Sequence, residues 1–305
     1  MGRTVIVGDV HGMLLELQEL VRKVALTRDD ALVFVGDLLD KGPDSVGVVR
    51  YARELQEQGF PVFLVMGNHE EKHARFRYAR TKNPKPDMKG AEGMAAITDA
   101  LFPADVAFLE RARLFLPLPE HRALVVHAGV LPAMTVLPPP EAFDENGVAV
   151  PKALKVWNEV LRVRYVTGAA RTKLTVELDC TGEVEAEEGE QLFSLLSLRL
   201  GEVDTMFVKK RAVRPKGSFV QLGAETPADP FWAEIYDGRF GQIYFGHNPF
   251  LEPSPKRFPH ATGLDLGCVF GGHLAAAVLE VDREPSFVTV RASRKCAVGL
   301  WEDDA

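Results

Sequence analysis

The chain has 305 residues, 46% of them hydrophobic, a formal net charge of -7 and three cysteines, Cys180, Cys268 and Cys296. That apolar share can build one large core or two small ones, and the acidic balance argues against a broad basic surface for gripping nucleic acid. Widely spaced cysteines without a Cys-x-x-Cys pair argue against a thiolate metal site or a disulfide framework and fit reduced thiols in a cytoplasm.

The opening MGRTVIVGDVHG has one early basic residue, no long apolar run and no small-residue cleavage site, so no secretory leader is expected. Thr4 to Val7 reads as a short buried strand that runs into GDVHG. Leu14, Leu17, Val21 and Val24 then fall at helical spacing, with Glu16, Glu19, Arg22 and Lys23 making that stretch amphipathic and not membrane-spanning. Ala31 to Val35 is a second buried strand, ending in GDLLDKGPDS. Asp44 or Ser45 can cap the next helix, whose Val48, Val49, Ala52 and Leu55 line one face and which Gly59 ends. Pro61 to Met66 is a third strand, ending in GNHE. Strand, helix and strand in repetition predict a parallel sheet covered by helices, with ligands bound beyond the carboxyl ends of the strands.

Farther on, residues 80–93 are rich in Lys, Pro and Gly and read as a mobile surface loop. Ala123 to Val126 is an apolar strand ending in HAGV, and Leu137 to Pro140 is a proline-rich connector. Residues 171–230 carry an acidic run, GEVEAEEGE, and a basic one, VKKRAVRPKG, each read as a solvated face or loop and not a binding site. Gln242 to Phe245 is a strand ending in GHNP. Leu274 to Val281 and Ser286 to Ala292 alternate and read as closing antiparallel strands.

Six polar residues stand directly after apolar strands: Asp9 and His11, Asp37, Asn68, His127, and His247. Singly, each has a bland reading: a histidine at a strand end is usually a hydrogen-bonded surface residue, and an Asp after Gly is usually a turn. Five successive strand ends supplying carboxylate, imidazole and amide oxygen point instead to a metal site. Without thiolate, such ligands suit Mn, Fe, Zn, Co or Ni. Asp37, having two oxygens, is the natural bridge between two ions. Two ions roughly 3.5–4 Å apart clamp a phosphoryl group and acidify the water between them, so that water attacks phosphorus with no covalent enzyme intermediate.

In this order, GDVHG, GDLLDKG, GNHE, HAGV and GHN resemble the calcineurin-like metallophosphoesterases, and within them the phosphoprotein phosphatase branch with its GDxHG, GDxxDRG, GNHE, HGG and GH. The likeness runs from Thr4 to about Gly272. It implies a single α/β (α+β) domain over residues 1–305, a central β-sandwich flanked by helices in four layers, α/β/β/α, with substrate access built by residues of about 138–230. It implies that Asp9, His11 and Asp37 hold one divalent cation and Asp37, Asn68, His127 and His247 the other, Mn2+ being the expected ion and Co2+, Ni2+, Fe or Zn2+ the alternatives. It further implies that His69 protonates the leaving-group oxygen while Asp40 keeps that imidazole protonated, and that Asn68 also faces the phosphate. Lys41 stands where the family has Arg. It can hold a phosphate oxygen but cannot make the bidentate fork.

HAGV in place of HGG leans away from the eukaryotic-type protein phosphatases, and DKGPDS resembles the symmetrical diadenosine tetraphosphatases and their phosphatase relatives. WNEVLRVRYVT (Trp157 to Thr167) resembles their R-x-R-[FY] stretch and makes Arg164 a candidate phosphate clamp and Arg162 a weaker one, the latter better read as a surface arginine on a helix. The ending GLDLGCVFGGHL resembles the same subgroup, and its Asp265 is read as a structural turn residue. The expected function is symmetrical hydrolysis of diadenosine tetraphosphate to two ADP. Protein serine/threonine dephosphorylation by the same site is the alternative, and a non-catalytic pseudoenzyme the remaining one. The expected partners are a nucleotide or phosphoprotein, with no membrane, nucleic acid limited to RNA 5′ ends, and the oligomeric state open.

Overall fold

Alternation along the first strand sets the architecture. In β1 (Thr4–Val7), Val5 and Val7 join one buried apolar cluster and Ile6 joins another, so both faces of the strand are covered. The computed structural model describes residues 2–137, 159–178, 182–187 and 206–297. Beside β1 lie β2 (Ala31–Phe34) and β3 (Val62–Leu64), both parallel, with Val7 opposite Phe34 and Phe34 opposite Leu64. The polar loops after these strands therefore leave the sheet at one edge. β13 (His273–Leu279) runs antiparallel on the other side of β1, flanked by β12 (Asp265–Leu266) and β14 (Ser286–Arg291).

A second sheet has the order β10-β11-β9-β5-β4, from β4 (Phe115–Leu118), β5 (Ala123–Val126), β9 (Gln242–Phe245), β10 (Lys256–Phe258) and β11 (Ala261–Gly263). β5 and β9 are parallel, with Val125 opposite Tyr244, so His127 and His247 also leave one common edge. The cluster of Ile6, Val33, Val35, Leu116, Ala123, Val125, Tyr244, Ala277 and Leu279 draws on both sheets; it is the layer between them, as face-to-face sheets require. On the outer face of the first sheet pack α1 (Leu14–Val24) and α2 (Ser45–Glu57). Phe245, on the outer face of the second, meets Phe231, Trp232, Phe250 and Phe258, with Trp232–Ile235 forming a single helical turn. The mixed α/β sandwich is the expected one, although among the described residues aromatic rings cover much of its second outer face.

Several local readings shift. α2 is capped as expected, with the Asp44 carboxylate accepting from the Gly47 amide at 2.7 Å. α1 buries Leu17, Leu20 and Val24, and turns Glu16 inward, where it accepts from the Ser293 amide and hydroxyl at 2.9 and 2.7 Å; Leu14 and Val21 lie at the flank. Residues 80–93 are not one loop. α3 (Asn68–Lys82) continues into them and α4 (Ala91–Ala100) begins before their end. Arg80 and Lys82 in the last turn of α3 suit its carboxyl-end dipole, and Arg80 pairs with Asp99 of α4 at 2.6 Å. After α5 (Pro103–Leu109) the chain enters the second sheet.

The charged runs read as loops are strands in part: β6 (Arg171–Leu178), β7 (Gly182–Glu187) and β8 (Met206–Arg214) form a separate antiparallel sheet in the order β7-β6-β8. Backbone pairing outweighs the poor strand preference of a charged run once β6 offers both its edges. Of the access region expected at about 138–230, residues 138–158, 179–181 and 188–205 lie outside the described residues, as do most of the Leu137 to Pro140 connector and Cys180. No helix among the described residues is long and apolar enough to cross a membrane.

Candidate metal centre

The five polar loops converge. One donor atom each from His11, Asp37 and His69 lies within 4.8 Å of the others, and the same holds for Asp37, His127 and His247, all of them buried. Asp37 is common to both groups, as a bridging carboxylate would be. Tight backbone turns aim these side chains. His11, Asp37, Asp40, Lys41 and His247 all have positive φ, a conformation that costs a non-glycine residue of order 1–3 kcal/mol and that collects at functional sites.

Main-chain groups fix the imidazoles. His11 Nδ1 is 2.8 Å from the Leu39 carbonyl and His127 Nδ1 is 3.0 Å from that of Val35. A carbonyl only accepts, so each Nδ1 carries the hydrogen and each Nε2 turns a lone pair into the site. His11 Nε2 lies 3.4 Å from Asp37 Oδ2. His127 Nε2 lies 2.9 Å from Asn68 Oδ1, and His247 Nδ1 lies 3.0 Å from the same oxygen. Asp9 accepts the His247 amide on Oδ2 at 2.8 Å, while its Oδ1 and the Nε2 of His247 are buried with no hydrogen-bond partner.

The electrostatics agree with that geometry. Burial pushes Asp37 up to about 7, aided by the charge of Glu70 and opposed by His69 and Lys41. Burial, with the charges of Asp265 and Asp37, holds Asp9 well above the usual carboxylate range. Burial also pushes His127 down to about 3, and His11 and His247 well below the ordinary imidazole value. Neutral imidazoles, carboxylates crowded together and orphaned lone pairs facing one another describe a cradle for cations: the donors repel one another unless positive charge sits among them. The donor set, carboxylate, imidazole and amide oxygen without thiolate, fits divalent transition-metal ions.

Beside this cradle, His69 Nδ1 is 2.6 Å from Asp40 Oδ2, and His69 Nε2 is buried without a partner, 3.9 Å from Asp37 Oδ2. Burial alone would lower the His69 pKa, but the Asp37 charge and the Asp40 hydrogen bond outweigh it and the net shift is upward. The Asp40 carboxyl is itself driven far below its usual range: burial opposes ionisation, yet the contacts from His69 and His73 overcome it.

A cavity lined by His11, Asp37, Lys41, Arg164, His247, Pro249, Asp265 and Phe270 opens onto the site. Lys41 reaches it from 5.6 Å above the Phe270 ring. Arg164 is buried and donates to Asn248 Oδ1 at 3.1 Å. Arg162 donates to Glu71 Oε2 at 2.9 Å, and its charge still reaches His127 and His247; it sits in a turn and not on a helix, and is half-buried instead of lying on the surface. Asp265 does make the expected turn, accepting the Gly267 amide at 2.9 Å, yet it also lines the cavity. Two further residues support the site without having been singled out in the sequence: Glu70, the last residue of GNHE, and His73, which lies in no motif. Glu70 accepts amides of the Asp37 loop, and His73 Nε2 lies 2.8 Å from Asp40 Oδ1.

The description "calcineurin-like phosphoesterase" matches residues 2–160. A symmetrical bis(5′-nucleosyl)-tetraphosphatase of Shewanella sp. (strain ANA-3) is 34% identical over 155 residues, 49% of this chain and 51% of that protein, so the match spans about half the length of that relative. An asymmetrical bis(5′-nucleosyl)-tetraphosphatase, PrpE of Oceanobacillus iheyensis, is 26% identical over 307 residues, 95% of this chain and 92% of that protein. A crystal structure provisionally assigned as a diadenosine tetraphosphatase superposes with a TM-score of 0.56 at 24% identity, covering 95% of this chain and 94% of that one, a likeness of fold.

Proposed function

The chain belongs to the calcineurin-like phosphoesterase family, and from that premise we propose that it is a dinuclear metal-dependent phosphohydrolase that cleaves diadenosine tetraphosphate symmetrically to two ADP. The observation that carries the reading is Asp37 shared between two buried donor groups, with Asp9 Oδ1 and His247 Nε2 left without partners beside it. Asp9, His11 and Asp37 would hold one divalent cation, and Asp37, Asn68, His127 and His247 the other. When bound, such a pair supplies Lewis acidity at the phosphoryl oxygens and lowers the pKa of water.

The protein's own groups do the rest. Lys41 and Arg164 stand at the cavity wall as cations for the outer phosphate oxygens. Arg164 is oriented by Asn248, so its planar fork is set before substrate arrives. His69 Nε2 faces the site and would deliver a proton to the departing oxygen, while Asp40 on Nδ1 holds the ring and favours its charged form. Water adds to one inner phosphorus and gives up a proton to solvent. The bond from that phosphorus to the central bridging oxygen breaks, and one ADP departs with the proton from His69. The attacked half, now carrying the water oxygen, is the second ADP. A nucleotide leaving group of low basicity leans on His69 less than an alkoxide does.

A second reading has support in the Oceanobacillus relative, matched nearly end to end and called asymmetrical: attack at an outer phosphorus, giving AMP and ATP. Protein serine/threonine dephosphorylation uses the same chemistry. Product analysis on Mn2+-loaded protein, offered diadenosine tetraphosphate and a phosphopeptide in parallel, separates the three. ADP alone is expected; AMP with ATP, or phosphate from the peptide with an intact dinucleotide, overturns the symmetrical reading. Asp37→Asn is expected to lose metal content and turnover together.

A further inference from the structure

His73 has no part in the roles above. It lies on α3 one turn after His69, on the same face by the i, i+4 relation, and its side chain has no exposed area. Its Nε2 is 2.8 Å from Asp40 Oδ1, while Asp40 Oδ2 is 2.6 Å from His69 Nδ1. Two imidazoles thus grip the two oxygens of one carboxylate. An ionised carboxylate only accepts, so both contacts are N–H donors and His73 is fixed with its hydrogen on Nε2. Its Nδ1 is buried with no hydrogen-bond partner, a cost that an apolar side chain filling the same space would avoid.

Asp40 needs a second hold. Its backbone is in the left-handed region at φ 66, and its side chain keeps 18% of its area open to solvent, so water competes for its oxygens. We propose that His73 is a positioning residue for leaving-group protonation: by anchoring Asp40 Oδ1 it keeps Oδ2 on His69 Nδ1 and so keeps His69 Nε2 aimed at the departing oxygen. This rests on His69 being the acid.

The test uses the full metal-loaded chain with phenyl phosphate and p-nitrophenyl phosphate, whose leaving groups differ in basicity. His73→Leu is expected to keep its metal content and to lower kcat on phenyl phosphate by roughly tenfold or more, with p-nitrophenyl phosphate slowed by less than about threefold. His73→Gln, whose amide nitrogen takes the place of Nε2, is expected to recover most of the loss. If the Leu variant does not fold, His73→Asn, too short to reach Asp40, replaces it. Equal slowing of both esters, or of neither, while His69→Asn still separates them, overturns the role of His73 and leaves His69 in place. If His69→Asn fails to separate them, the acid assignment is wrong and His73 falls with it.

Discussion

Glu70 and Asp37 are joined through the main chain: Glu70 Oε2 accepts the Asp37 amide hydrogen at 2.7 Å. The same carboxylate takes the Leu38 amide at 2.9 Å and the Gly67 amide at 3.0 Å, so it gathers the second and third motif loops onto one buried acceptor. Glu70→Gln puts an NH2 group where an oxygen accepts, and at least one amide hydrogen then faces a donor. The expected cost is about 1–3 kcal/mol for the buried mismatch, read as a lower melting temperature. Metal content should fall with it, since Asp37 holds its φ of 52 only while its amide is anchored. Thermal melts with elemental analysis check this; an unchanged melt with full metal would show that the loop holds itself.

The strand-end loops were legible because each apolar run switches abruptly to a polar residue, and a buried sheet forces that switch at its edge. α3 was not, since NHEEKHARFRYARTK carries charge on nearly every face and has no apolar stripe. His73 was hidden with it: its spacing from His69 has meaning only once that segment is a helix. The motif glycines carried no sign of what they approach. A Cβ on Gly67 would come 2.1 Å from Asp37 Oδ1 and one on Gly246 1.8 Å from Asp9 Oδ1, so each makes room for a ligand from another loop. β6, β7 and β8 escaped reading because their pairing is long-range, between runs whose local composition suggests solvated loop. Asp265 was read by its turn alone, and its place in the cavity depends on β12 lying beside β13.

The pH response of the protein stripped of metal follows from groups shifted in opposite senses. Asp37, pushed up to about 7 by burial, and Asp9, pushed up likewise, hold protons when folded that they release when unfolded. Their contribution to stability is present below the unfolded carboxylate value of 3.8 and is lost as pH rises, for Asp37 through about 7. His11, His127 and His247 are held down by burial, so their contribution is lost as pH falls below the unfolded imidazole value of 6.5. Between 3.8 and 6.5 the two sets oppose; above that window the carboxyls act, joined in the same sense by His69, whose pKa is raised. The chelated protein should therefore lose melting temperature as pH is raised from 6.5. Saturating Mn2+ should restore it, by about 2.7 kcal/mol at a hundredfold excess over Kd, because the cation replaces the proton on the same oxygens. Melts in chelator and in Mn2+ across that range check the sign; a chelated protein that gains stability with rising pH contradicts it.

Arg164 offers a prediction that separates substrate binding from metal binding. It is buried and oriented by Asn248 and lines the cavity beside Lys41. Arg164→Lys keeps the charge but loses the planar fork, so a phosphate held by two parallel hydrogen bonds is reduced to one. The loss of one charge-assisted hydrogen bond is about 1.5–3 kcal/mol, which corresponds to a rise in KM of roughly ten- to a hundredfold. Metal content should stay at the wild-type level, since the donors around Asp37 are untouched. The loss should be larger for diadenosine tetraphosphate than for phenyl phosphate, because the longer substrate has more phosphate oxygens to place. An equal rise in KM for both esters would limit Arg164 to the phosphoryl group being cut, and a drop in metal content would make it a structural support of the centre instead.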